Sequence, residues 1–113
     1  MKDLLLIITT GNENPEMARF ALTGALRQAK SGRYNNVKVL FYGPSEKFIG
    51  NSDESTENTL KELVSLNTVD SACIAIAKIY GMEKKLTDLG IELAPFGERL
   101  ASYIEKEFQV ITF

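Results

Sequence analysis

The sequence predicts a three-layer α/β sandwich built on a mostly parallel five-stranded sheet. Three observations predict it. Short apolar runs alternate with stretches of helical periodicity along the whole chain. The first run, Leu4–Ile8, is apolar at every position, as expected of a strand covered on both faces. Glycine, proline or asparagine punctuates nearly every junction, at Gly11, Gly32, Gly43-Pro44, Asn67, Gly81, Gly90 and Pro95.

Taken in order, Leu4–Ile8 is the first strand, closed by Thr9-Thr10-Gly11. Asn14 suits a helix N-cap and Pro15 a first helical position, where its missing N–H would be unpaired anyway. The helix Pro15–Lys30 carries Ala18, Ala21, Leu22, Ala25 and Ala29 on one face and ends at Ser31-Gly32. Val37–Tyr42 is the second strand, stopped by Gly43-Pro44. Ser45–Asn51 reads as a loop or short helical turn. The polar stretch Asn51–Glu57 reads as the most mobile part of the chain and supplies N-cap choices for the next helix. That helix runs to about Leu66, with Leu60, Leu63 and Val64 inward and Asn67 as a left-handed cap. Val69–Cys73 is the third strand. Ile74–Tyr80 is a helix closed by Gly81, and Met82–Leu89 a further turn or two closed by Gly90. Ile91–Ala94 is the fourth strand. Gly97–Lys106 is a helix with Leu100, Ala101 and Ile104 inward, and Val110–Phe113 is the fifth strand.

Right-handed crossovers put the carboxyl ends of parallel strands on one edge, where open α/β sheets bind ligands. Thr10–Asn14, Gly43–Lys47, Cys73 and Pro95–Gly97 then share that edge. The 113 residues suit one domain, 1–113. With 13 Lys+Arg against 15 Asp+Glu, the net charge is −2 and no basic stripe appears, so no nucleic-acid partner is expected. The first apolar run is too short to span a membrane, and no membrane association is expected. A single cysteine forms no intrachain disulfide, which fits a reducing cytoplasm.

That cysteine, Cys73, is the leading candidate for covalent chemistry. Placed at a strand end and a helix start, its thiolate would be favoured by unpaired N–H groups. The chain has no histidine, so a Cys-His dyad is excluded. Persulfide formation and transfer need no such base, only a reachable thiol and a partner. Two alternatives stand beside this. Cys73 packs as a small core hydrophobe, and if the strand runs on through Ala77 it lies mid-strand. Asp70 and Ser71 before it read as caps, contacts or neither. Lys84-Lys85 and Glu105-Lys106-Glu107 read as solvated faces. Phe41, Tyr42, Phe48 and Phe96 read as core, with assembly contacts as the alternative.

The segments LLIITTG, VKVLFYGPSEKF, VDSACIAIAKIYGMEKKLTDLGIEL and the terminal QVITF together resemble the DsrE/DsrF/TusD-like small sulfur-relay proteins. The resemblance implies a DsrE-like domain of flavodoxin-like architecture, in the cytoplasm, forming homo- or hetero-oligomers such as trimers or hexamers. It implies a persulfide carried on Cys73, the catalytic residue, exchanged with a sulfur donor or acceptor protein. No metal or cofactor is implied. Gly43-Pro44-Ser45 matches the family's loop and is assigned shape rather than chemistry. The rival readings are a non-catalytic oligomerisation or interaction module of the same fold, and a flavin- or phosphate-binding domain. The latter rests on Thr10-Gly11-Asn12 after the first strand, with Glu13 and Glu16 arguing against a phosphate.

Overall fold

The computed structural model describes all residues, Met1–Phe113. Its elements are β1 (Asp3–Ile8), α1 (Pro15–Lys30), β2 (Asn36–Phe41), α2 (Pro44–Gly50), α3 (Glu54–Ser65) and β3 (Val69–Cys73). They continue with α4 (Ile74–Tyr80), α5 (Glu83–Asp88), β4 (Leu93–Ala94), α6 (Phe96–Glu105) and β5 (Gln109–Thr112). All five strands are parallel, in the order β4-β3-β2-β1-β5. The α/β sandwich expected from the sequence is therefore present, with no antiparallel strand.

The two faces of the sheet are covered unequally. One carries the main core, where Leu4, Leu6, Ile8, Val39, Phe41 and Ala72 meet side chains of α1 to α5. The other carries Leu5, Ile7 and Leu40 under Tyr103 of α6, with Phe96, Leu100 and Phe108 around them. β1 is thus buried on both faces, as its unbroken apolar run requires.

Local chemistry sets most boundaries as predicted. Asn14 Oδ1 accepts from the N–H of Met17, capping α1. Asn67 and Gly81 take left-handed backbones at φ 57° and 64° and end their helices. Ala29 is only half-buried, at the far end of the α1 stripe.

Four expectations are corrected. Asn51–Glu57 is not a loose tract: Asp53 Oδ1 accepts from the Thr56 N–H, and α3 begins at Glu54. Residues 44–50 form a full helix, α2. β4 has only two residues, because the Ile91 N–H still closes on Leu86 O behind α5 and Ile91 is drawn into the main core. On α6 the inward stripe is Phe96, Leu100 and Tyr103, while Ala101 and Ile104 face solvent. Both stripes are apolar at helical spacing. The inner one is selected by the patch Leu5, Ile7 and Leu40, and by a tie from Tyr103 to Asp70.

The carboxyl edge is locked by backbone contacts. Ser45 Oγ donates to Ile8 O at 2.6 Å, and Ser45 N donates to Thr9 O at 2.9 Å. A Cβ on Gly11 would lie 2.2 Å from Pro44 O. Neither group is a flexible side chain, so Gly11→Ala must push the β1–α1 loop off α2. The expected loss is about 2–3 kcal/mol, the range of overpacking in a fixed site, read as a lower urea midpoint. A midpoint equal to wild type would show that the loop yields freely.

Candidate functional site

β3 ends at Cys73, which caps α4 with φ −64° and ψ 121°. The alternative of a strand running on to Ala77 is overturned, because helix begins at Ile74. Thr10–Asn14, Gly43–Lys47, Cys73 and Pro95–Gly97 do share the carboxyl edge, since every strand points that way.

The sulfur lies on the α6 face. Leu40 pairs with Ser71, and paired residues share a face, so Cys73 two residues on lies on Leu40's side. Its partner on β4 is Ala94. Tyr42, two residues beyond Leu40, occupies the β2 side of the same row. Tyr42 and Phe96 meet with ring centroids 4.5 Å apart. They arise from the strands on either side of β3, about 10 Å apart. The two rings thus meet at the carboxyl ends of the strands flanking β3, the edge that also holds Cys73. The thiol is 7% exposed, and none of the surface hollows reaches it.

One residue was not anticipated. Glu46 is fully buried, at 0% exposure. α2 turns Ser45, Glu46 and Ile49 inward and leaves Lys47 in solvent. The backbone N–H groups of Cys73 and Gly43 lie toward the Glu46 carboxyl. Neither of its oxygens closes a hydrogen bond of full geometry. Burial pushes its pKa up to about 8, against the weaker opposing pull of those two N–H groups. No charged side chain pairs with it. A carboxyl on the inner face of a helix that opens Gly-Pro-Ser-Glu is the signal the sequence held, but only the docking of α2 decides that the face is buried.

A second polar cluster anchors α6. Asp70 accepts from Tyr103 Oη at 2.5 Å, Arg99 Nη1 at 2.9 Å and Ser71 Oγ at 2.8 Å. Arg99 also pairs with Glu92. Asp70 and Ser71 are thus contacts that fix the helix covering the site. Lys84 pairs with Asp88 on an exposed face, as a solvated charge does. Phe41 is core, whereas Tyr42 and Phe96 pack on each other at the carboxyl edge.

The β1–α1 loop already holds an anion of the chain itself. The Gly11 N–H donates to Glu13 Oε1 at 2.7 Å. A phosphate placed there would displace that carboxylate and face its charge. No grouping of His, Cys, Asp and Glu has the makings of a metal site.

No protein-family model matches the chain, and no curated protein matches it in sequence. Solved structures do resemble it. A conserved protein of unknown function from Bacteroides thetaiotaomicron, BT1422, superposes with a TM-score of 0.81 at 22% identity, covering 98% of this chain and 95% of that one. The ychN protein from E. coli superposes with a TM-score of 0.74 at 16% identity, covering 100% of both chains. At such identities the likeness is one of fold. No helix is long and apolar enough to cross a membrane.

Proposed function

We propose that this chain is a sulfur-relay protein that carries sulfane sulfur as a persulfide on Cys73. The observation that supports the reading most is the position of Cys73. It joins a strand end to a helix start at the carboxyl edge of a parallel sheet, as the resemblance to the DsrE/DsrF/TusD-like proteins implies. The chemistry is a displacement: the Cys73 thiolate attacks the outer sulfur of a donor, forms the S–S bond and expels the donor's leaving group. The chain has no second cysteine, so the sulfur passes on to another molecule. We propose that the donor or acceptor is a protein that parts Tyr42 from Phe96 as it docks.

The same reading includes self-assembly in the cytoplasm, as trimers or hexamers. The exposed apolar side chains Phe20, Val110, Ile111 and Phe113 support it. So does the edge strand β5, which is exposed at every residue and paired on one side only.

Incubating the protein with thiosulfate or a low-molecular-weight persulfide tests the proposal. Intact mass should rise by one sulfur atom in wild type and stay unchanged in Cys73→Ser. An unmodified wild type, or equal uptake by the variant, removes the reading. The burial of the thiol favours the rival, a non-catalytic module of the same fold. Under that rival, iodoacetamide would label Cys73 only as fast as the protein unfolds.

A further inference from the structure

We propose that a second copy of this chain docks on the outer side of α1 about a two-fold axis, with Phe20 of each copy seated in a groove beside Gly24 of the other. The inference rests on the self-assembly reading above and deepens it: it names the contact and makes the assembly even-numbered.

α1 carries two stripes. The inner one, Ala18, Ala21, Leu22 and Ala25, is buried on the sheet. A second one, Met17, Phe20, Gly24 and Gln28, recurs at helical spacing on the side toward β5. Met17 is 40% exposed and Phe20 60%.

Between this side of α1 and β5 runs an apolar groove of about 170 Å³. Leu4 and Leu6 are its floor, and Gly24, Ala25, Ile111 and Phe113 line its walls. It is open because α1 packs on β1 and β2 and stops short of β5. Ile111 pairs with Leu6, so it lies on the α1 face, yet it is 47% exposed. It is open also because Gly24 has no side chain: a Cβ there would meet nothing within 4 Å. A cavity of about 150 Å³ holds one benzene ring, whereas small-molecule sites begin near 300 Å³ or about twice that. The groove therefore has the size of one aromatic side chain rather than of a cofactor. Phe20 stands about 6 Å from Gly24 along the helix, and its own ring does not line the groove.

A two-fold axis sets one surface patch against its own copy. Passing at the level of Leu22, it lays two α1 helices antiparallel and brings Phe20 of each copy opposite Gly24 of the other. The same register brings Glu16 of each copy to within one residue of Arg27 of the other. Glu16 and Arg27 are both exposed, and neither has an ion pair in its own chain. The antiparallel helix dipoles add to this match. The other cations of α1 lie toward α3, where Lys30 pairs with Glu62 and Arg19 borders Thr56 and Thr59. They stay out of the contact. Shape and charge thus select the same occupant, a second α1.

The test is light scattering on the full chain over a concentration series, with the dissociation constant read from the dilution. Wild type should be a dimer or a higher even-numbered assembly. Phe20→Asp and Gly24→Leu should each raise the dissociation constant by roughly tenfold or more. Gly24→Leu fills the groove without disturbing the fold, because the space is open and leucine favours helix; an unchanged circular dichroism spectrum checks this. Glu16→Arg and Arg27→Glu should each weaken assembly, and mixing these two variants in equal amounts should restore it. Within one chain the two positions are about 16 Å apart along the helix, so recovery on mixing reports a contact between copies. A trimer, an assembly that neither Phe20→Asp nor Gly24→Leu weakens, or a mixture as weak as its components overturns the inference and leaves self-assembly standing through another face. A wild type that is monomeric at every concentration removes both.

Discussion

Asp70→Ala is expected to lower folding stability by about 2–4 kcal/mol. Three donors converge on this carboxylate, and its side chain is only 13% exposed. Arg99 is 36% exposed, so solvent screens its ion pair and that pair contributes little. The loss comes mainly from Tyr103, which is 8% exposed and would keep a hydroxyl with no acceptor. Tyr103→Phe removes the same bond from the other side, so the double variant should lose less than the sum of the two. Burial pushes the Asp70 pKa up, but hydrogen bonds from Tyr103, Ser71 and Arg99 together outweigh it and hold the carboxyl below 3.8. Its folded pKa is thus depressed. The stabilisation is present above the unfolded value, about 4, and is lost as pH falls through the lower folded value. Urea unfolding at neutral pH and near pH 3 checks both parts. A variant as stable as wild type at neutral pH would show that α6 is held by its apolar stripe alone.

The same cluster shows where reading the chain reached its end. Turn chemistry is local, so Asn14, Asn67, Gly81 and Gly90 set helix ends that could be read from residues within a few positions. The site of Cys73 was legible for that reason: Val69–Cys73 and Ile74–Tyr80 have the bounds that composition suggests. The inward face of α6 was not. Leu100, Ala101 and Ile104 form as good an apolar stripe as Phe96, Leu100 and Tyr103. The choice is made by Asp70, 33 residues before Tyr103 in the chain. Glu46 was missed for a related reason. A glutamate in a helical first turn is ordinarily solvated, and the dipole welcomes it there. Its burial follows from how α2 rests against α4 and α5, a tertiary fact with no local marker. The pairing of Tyr42 with Phe96 belongs to the same class, because the two are far apart in sequence and meet only through strand order.

Glu46→Gln is expected to remove most of the pH dependence of stability between weakly acidic and weakly alkaline pH. The carboxyl titrates near 4.5 when exposed and is pushed up to about 8 by burial in the fold. A folded pKa above the unfolded one gives stability that is complete below about 4.5 and declines as pH rises through the folded value, about 8. In that interval the unfolded chain has released a proton that the fold retains. The whole decline is of the order of 3–5 kcal/mol in wild type, a large fraction of a small domain's stability. The chain has no histidine, so one common source of titration in the same window is absent. Glutamine keeps the shape without ionising, though its amide finds no better partners in the pocket. The variant should therefore be close to wild type near pH 5 and more stable by a few kcal/mol above pH 8. Urea unfolding across this range gives the two curves directly. A wild-type curve that is flat between these limits would mean that the carboxyl is hydrated in solution.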